Sequence, residues 1–105
     1  MKEFDDFIKE SKPTLVDFYA TWCGPCKMQS PVIDEVKKTV GDKANVLKVD
    51  VDKAQELSVR YQVRSVPTLI VFKDGMAVWR ASGMHTKEQL IAKLEEFIND
   101  NKSDI

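Results

Sequence analysis

The chain has 105 residues, with 16 lysines and arginines against 17 aspartates and glutamates, and 43% of it is hydrophobic. That length suits one domain over residues 1–105, because a chain of this size buries enough apolar surface for a core without disulfide or metal staples. A net charge of −1 supplies no basic face. Nucleic acid and anionic lipid are therefore disfavoured as partners.

The sequence shows no feature of secretion or membrane insertion. Residues 1–6 lack the apolar core of a signal peptide. The longest apolar run, residues 69–72, is far shorter than the ~20 residues of a membrane span. Two cysteines are too few for the disulfide framework of a small secreted protein. We expect a cytoplasmic protein, although a chain whose signal peptide had been removed would have the same features.

The hydrophobic periodicity changes several times along the chain, which is typical of mixed α/β proteins. It predicts, in order, a helix near residues 4–8, a strand at 15–20, a helix at 25–40, a strand at 46–51, a helix opened by a capping box at 52–55, strands at 68–73 and 77–82, and a helix opened by a capping box at 86–89. Strands alternating with helices and ending in a hairpin predict a mixed sheet with helices on both faces. The polar tail, residues 99–105, is expected to fray.

Both cysteines lie in the segment Trp22-Cys23-Gly24-Pro25-Cys26, between a buried strand and a helix start, where Pro25 suits the first helical position. The thiolate is the reactive species in disulfide exchange, and a helix N-terminus stabilises an anion. Cys23 is therefore favoured as the thiolate, with Cys26 one turn further in and more protected. We favour a redox dithiol. The alternatives are inert thiols and a zinc half-site, for which only His85 remains as a nitrogen ligand.

Asp17 lies in the middle of the first strand, with apolar neighbours on both sides. Burial would raise the pKa of this carboxyl group, because a charged group loses its hydration there. The alternative is a solvated acid at a sheet edge, which the apolar neighbours disfavour. Lys48 alternates with apolar residues and by periodicity alone is an ordinary exposed strand residue.

The sequence from Val16 to Met28, VDFYATWCGPCKM, resembles the active-site signature of the thioredoxin family. The similarity covers about residues 4–100 and includes Pro31, residues 48–52, residues 66–68, residues 73–75 and Gly83. The Gly-Pro pair between the cysteines is the thioredoxin dipeptide, whereas glutaredoxins usually have Pro-Tyr and disulfide isomerases Gly-His. The resemblance implies the thioredoxin fold and thiol–disulfide exchange with protein substrates, without a metal or organic cofactor.

The resemblance also implies a role for each residue of the reaction. Cys23 is the nucleophile that forms a mixed disulfide with the substrate, and Cys26 is the resolving thiol that releases it. Asp17 accepts the proton of the resolving thiol, and Lys48 matches the lysine that pairs with this acid and modulates it. A flavin-dependent thioredoxin reductase using NADPH, or ferredoxin in some organisms, restores the dithiol.

A substrate groove beside the cysteines is a further implication of the resemblance. Pro67 is expected in the cis form against the general preference for trans, with the Val66 backbone pairing with an extended substrate segment. The residues implied in the groove are Trp22, Gly24, Pro25, Val66, Pro67, Gly83 and Met84. For Trp22 the alternative is packing in the core. For Gly83 the alternative is a residue that only ends a strand. Pro31 is expected to kink its helix, Trp79 to pack, and His85 to be a solvated loop residue.

The amino end departs from the family pattern. Thioredoxins usually have a further strand beside the one matching residues 46–51, and this sequence begins within the first helix. We expect four strands, in the order 46–51, 15–20, 68–73, 77–82, and a monomer whose open edge permits weak dimerisation. The predicted function is a general protein disulfide reductase. The rivals are a disulfide oxidase or isomerase, and a docking module of the same fold, which would not need both thiols.

Overall fold

The structure is a computed structural model that describes residues 2–99. Its elements are α1 (Phe4–Ile8), β1 (Thr14–Tyr19), α2 (Gly24–Val40), a 3₁₀ turn (Gly41–Lys43), β2 (Asn45–Asp50), α3 (Gln55–Arg60), β3 (Thr68–Lys73), β4 (Met76–Ser82) and α4 (Lys87–Ile98). Asn99 follows α4 as its C-cap. The rest of the tail that is expected to fray lies outside the described residues.

The four strands form one mixed sheet in the order β2-β1-β3-β4. β1 is parallel to β2 and antiparallel to β3, and β3 is antiparallel to β4. This order and the mixed character of the sheet confirm the prediction from the sequence. Within residues 2–99, β2 and β4 are the edge strands.

The two faces of the sheet carry separate hydrophobic cores, because successive residues of β1 point to opposite sides. Leu15 belongs to the core shared with α2 and α4, together with residues such as Ile33, Val36, Leu90 and Leu94. Val16 and Phe18 belong to the opposite core, with Ile8 of α1 and, at its margin, Leu57 of α3. Helices therefore cover both faces, as predicted. By the same alternation, Asp17 points to the side of α2.

Three strands begin one residue earlier than predicted, and one of them is β4, which begins at Met76. β1 begins at Thr14 and β2 at Asn45, and these two residues face each other in the ladder. The Asn45 side-chain amide donates to Thr14 Oγ1 at 3.1 Å. Both residues are polar, so hydrophobic periodicity places the strand starts too late.

The predicted starts of two helices also need correction. α2 begins at Gly24, with Pro25 as its second residue, because Cys23 is the N-cap. α3 begins at Gln55 after Ala54 and has no side-chain cap, so the capping box predicted at residues 52–55 is wrong. The Asp52 carboxylate instead accepts a hydrogen bond from Trp22 Nε1 at 2.9 Å. The box predicted at Thr86 and Gln89 is confirmed.

Pro31 lies inside α2, which continues past it to Val40. Among residues 2–99, no helix has both the length and the apolar character needed to cross a membrane.

Candidate active site

A disulfide joins Cys23 and Cys26 at the start of α2, with their Cα atoms 5.2 Å apart. The backbone N–H of Cys26 donates to Cys23 Sγ at 3.2 Å, so this sulfur caps the helix N-terminus. The two residues are 5% and 3% exposed. The expected contrast in protection between the two cysteines is therefore small in the disulfide form, whereas their neighbours Trp22, Gly24 and Pro25 are exposed.

The segment before β3 forms the wall opposite the disulfide. The Val66–Pro67 peptide bond is cis, which confirms the expectation from the resemblance. The carbonyl oxygen of Val66 lies 3.7 Å from Cys23 Sγ. Gly83 donates its backbone N–H to the Pro67 carbonyl at 2.9 Å, with a φ of 86° that favours glycine. The chain thus places Val66, Pro67 and Gly83 together beside the cysteines.

Exposed apolar side chains surround this disulfide. Trp22 is 70% exposed and Met84 43% exposed, so the core-packing alternative for Trp22 is wrong. A cavity of about 310 Å³ is lined by Trp22, Val51, Val63, Arg64, Ser65 and Val66. Val63 and Arg64 were not predicted as groove residues. The sequence signal that could have indicated them is their position, four and three residues before Pro67.

A second cavity, of about 320 Å³, borders Cys26. It is lined by Tyr19, Ala20, Thr21, Cys26, Lys27 and Ser30. The first cavity is lined by Val66 and Trp22, whereas this one is lined by Cys26. Its volume is sufficient for water, and Thr21 and Ser30 are polar residues of its otherwise largely apolar lining.

Asp17 is buried, as predicted, and is 1% exposed. Neither of its carboxylate oxygens has a hydrogen-bond partner among residues 2–99. Burial raises the pKa of Asp17 to about 6, and the positive charge of Lys48 opposes this rise. A carboxyl group with this pKa exchanges protons near neutral pH, and its oxygens are free to accept one.

Lys48 faces Asp17 in the β1–β2 ladder, but its ammonium group is bound elsewhere. It lies 2.8 Å from Asp34 Oδ1 and donates to Ser30 Oγ at 2.7 Å. Both partners are on α2 and are four residues apart, so they share one helix face. Lys48 is therefore neither a freely solvated lysine nor the direct partner of Asp17, and it acts on Asp17 through its charge.

His85 and Gln29 form a polar cluster that the sequence did not indicate. Gln29 is completely buried. Its side-chain oxygen accepts from the His85 backbone N–H at 2.8 Å, and its amide donates to the His85 carbonyl at 3.0 Å. The His85 ring packs edge-on against Trp79 with centroids 5.6 Å apart. His85 is thus half-buried and fixed, which corrects the expectation of a solvated loop residue, whereas Trp79 packs as expected.

Among residues 2–99, no group of three or more histidine, cysteine, aspartate or glutamate residues lies close enough together to hold a metal ion.

The chain is similar to known thioredoxins along most of its length. The sequence model of the thioredoxin family matches residues 1–96. A thioredoxin of Staphylococcus saprophyticus is 48% identical over 95 residues, which cover 90% of each chain. A thioredoxin-like protein of Synechocystis is 42% identical over 101 residues, which cover 92% of this chain and 96% of the relative.

The fold is also similar to that of a solved thioredoxin. A mutant thioredoxin from Halobacterium salinarum superposes with a TM-score of 0.84 at 39% sequence identity. The superposition covers 93% of this chain and 85% of the other.

Proposed function

Since this chain belongs to the thioredoxin family and is a thiol–disulfide oxidoreductase that reduces protein disulfides, we propose that Cys23 and Cys26 carry out the exchange, with Asp17 as proton acceptor. The observation that carries the assignment is the Cys23–Cys26 disulfide at the start of α2, opposite the Val66–Pro67 turn. A redox dithiol is what this placement favours, because a helix N-terminus stabilises a thiolate.

In the first step the Cys23 thiolate attacks one sulfur of a substrate disulfide. The substrate S–S bond breaks, a mixed disulfide forms, and the leaving thiolate takes a proton from solvent. The Cys26 backbone N–H, which donates to Cys23 Sγ, supports this role because the same bond stabilises negative charge on that sulfur. Cys23 Sγ also lies 3.7 Å from the Val66 carbonyl oxygen, on the proposed substrate wall.

In the second step Cys26 loses its proton and attacks Cys23 Sγ. The Cys23–substrate bond breaks, the substrate leaves as its second thiolate, and the Cys23–Cys26 disulfide forms. Asp17 supports this step as acceptor, because its buried oxygens have no other partner among the described residues and its pKa is about 6. The cavity beside Cys26 provides room for water to relay the proton. Lys48 modulates the acid through its charge.

We assign substrate binding to the surface around the disulfide. The Val66 backbone would pair with an extended substrate segment, as in strand addition. Trp22 and Met84 supply exposed apolar contacts, and the exposed Gly24 and Pro25 lie at the rim. Pro67 and Gly83 keep the opposite wall close to the cysteines through their hydrogen bond.

The remaining proposals concern partners, location and assembly. We propose one domain over residues 1–105. We propose a cytoplasmic location, because the cytoplasm keeps thiols reduced and a disulfide reductase works from its dithiol form.

An NADPH-dependent flavoenzyme of the thioredoxin reductase class is the proposed electron donor, and neither nucleic acid nor a membrane is proposed as a partner. The charges of Lys48 and Asp50 on edge strand β2 disfavour pairing with a second chain, so the protein is a monomer. Cell fractionation, a coupled NADPH assay and sedimentation test these statements in turn.

The residue roles are tested by trapping the intermediate. Cys26→Ser should accumulate a mixed disulfide with insulin whose disulfides are intact, or with another disulfide-containing protein, because no resolving thiol remains. Cys23→Ser is the matched control and should trap nothing. A stable adduct on the Cys23→Ser variant and none on Cys26→Ser would reverse the two roles.

The reduction potential separates a reductase from an oxidase or isomerase. Equilibration of the wild-type protein with a thiol buffer should give a value of roughly −250 to −290 mV, the range of thioredoxin-type reductants. A value of about −120 to −180 mV would instead show that the protein passes disulfides to its substrates.

A further inference from the structure

Gln29 is an uncharged polar side chain, completely buried, that the proposed reaction does not use. It lies one turn after Cys26 on α2, on the helix that carries both cysteines. Burial of an amide without partners is costly, so its hydrogen bonds show which group it serves. Both bonds go to one backbone unit, His85, which is 56 residues away in the sequence.

The two bonds have the geometry of a clamp. The Gln29 oxygen accepts from the His85 N–H at 2.8 Å, and the Gln29 amide donates to the His85 carbonyl at 3.0 Å. A side-chain amide that binds both groups of one residue fixes the position and the orientation of that peptide segment. The His85 ring adds two further contacts, edge-on to Trp79 and with its Nδ1 3.0 Å from the Gly83 carbonyl oxygen.

The clamped segment is a wall of the substrate groove. Gly83 and Met84 directly precede His85, and Gly83 donates to the Pro67 carbonyl at 2.9 Å. A continuous set of hydrogen bonds thus runs from the Val66–Pro67 wall through Gly83 and His85 to Gln29. The two Gln29 bonds thus connect the Met84 side of the groove directly to the cysteine helix.

We propose that Gln29 is a positioning residue that holds the Gly83–His85 segment against α2 and so preorganises the groove for protein substrates. The inference rests on the proposed function, because it assumes that this groove binds the substrate. Preorganisation lowers the cost of binding, since the loop is already ordered before the substrate arrives. The role of Gln29 therefore concerns substrate affinity and not the thiol chemistry.

The test compares Gln29→Met with Val36→Ala in the full chain. Gln29→Met keeps the volume but removes both hydrogen bonds, and Val36→Ala also disturbs the buried face of α2 without touching the groove. We expect Gln29→Met to raise the KM for insulin at least about threefold, with a smaller change in kcat. Val36→Ala should leave this KM within about twofold of wild type, although it also lowers stability.

Two further measurements keep the test decisive. The His85 amide should be protected from hydrogen exchange in wild type and should lose about tenfold or more of that protection in Gln29→Met. If Gln29→Met does not fold, Gln29→Asn replaces it, because its shorter amide cannot reach both His85 groups. A small aromatic disulfide, which does not need the groove, measures the thiol chemistry alone.

The outcomes distinguish the two proposals. Equal KM values for insulin in wild type, the Gln29 variant and Val36→Ala overturn the positioning role, as does a His85 amide that exchanges equally in all three. A wild-type protein that reduces neither insulin nor the small disulfide overturns the proposed function itself. A raised KM confined to the Gln29 variant supports the inference.

Discussion

At the residue scale, the buried carboxyl group of Asp17 combines a cost in stability with a use in chemistry. Its oxygens have no hydrogen-bond partner among residues 2–99, so the charged form is poorly stabilised and its pKa rises. The Lys48 ammonium, held by Asp34 and Ser30, is close enough to lower this pKa but does not replace the lost hydration. The result is a proton acceptor that titrates near neutral pH.

We predict that Asp17→Asn stabilises the protein at pH 7 and not at pH 4. The folded-state pKa of about 6 lies above the ordinary value of 3.8. The folded state therefore binds more protons than the unfolded state between these values, and stability falls as the pH rises from about 4 to about 6. Removing the charge should raise the free energy of unfolding at pH 7 by about 1–3 kcal/mol.

Urea unfolding of the oxidised wild type and variant at both pH values measures this difference. Comparing the two proteins at each pH cancels the titration of the other acids, which they share. The same variant should slow the release of substrate from the mixed disulfide. A stability difference of equal size at pH 4 and pH 7 would contradict the assignment of this pKa.

At the scale of elements, helix starts are where the chain places its reactive and its substrate-binding groups. Cys23 is the N-cap of α2, and Thr86, directly after the clamped His85, is the N-cap of α4. Thr86 Oγ1 accepts from the Gln89 N–H at 3.1 Å, and the Gln89 side chain accepts from the Thr86 N–H at 2.9 Å. The cap of α4 thus also limits the movement of the groove segment before it.

Thr86→Ala should lower the free energy of unfolding by about 1 kcal/mol, because the Gln89 backbone N–H loses its capping acceptor, Thr86 Oγ1. Chemical denaturation measures this loss. Thr39→Ala is the control, since Thr39 is an exposed residue within α2 and its change should stay within about 0.5 kcal/mol. Equal effects of the two substitutions would show that the capping box contributes nothing.

At the scale of the whole molecule, aromatic packing attaches α1 and the segment after α3 to one face of the sheet. Phe72 of β3 packs edge-on against Phe4, with centroids 5.7 Å apart, and against Tyr61, at 4.9 Å. Phe72 is completely buried. This face is opposite to the one that carries Asp17 and α2, so we assign Phe72 to the stability of the sheet and not to the chemistry of Asp17.

Phe72→Ala should therefore lower the free energy of unfolding by about 3–5 kcal/mol, since it removes the ring on which both aromatic neighbours pack. Thermal and urea unfolding both report this loss. Val78→Ala on β4 is the control, because Val78 is 38% exposed, and it should cost less than about 1 kcal/mol. A Phe72→Ala variant as stable as Val78→Ala would mean that this core does not hold the molecule together.

The residue pattern of the sequence indicated the elements, the mixed sheet and the reactive pair, and the resemblance to the thioredoxin family supplied the order of the strands in the sheet. Hydrophobic periodicity and turn residues are local signals, so they located the four strands. The predicted starts of β1, β2 and β4 differ from the observed starts by one residue. The segment from Trp22 to Cys26 is contiguous, and its chemistry follows from its place before a helix. The resemblance to the thioredoxin family supplied the cis form of Pro67, which local preference opposes.

Only the tertiary structure decided how distant polar side chains are paired. Asp52 binds Trp22 across 30 residues instead of capping α3, and Lys48 binds Ser30 across 18 residues. Gln29 reaches His85 across 56 residues. A polar side chain takes whichever partner the fold brings within about 3 Å. That distance depends on how the helices pack on the sheet, and no local pattern of residues contains it.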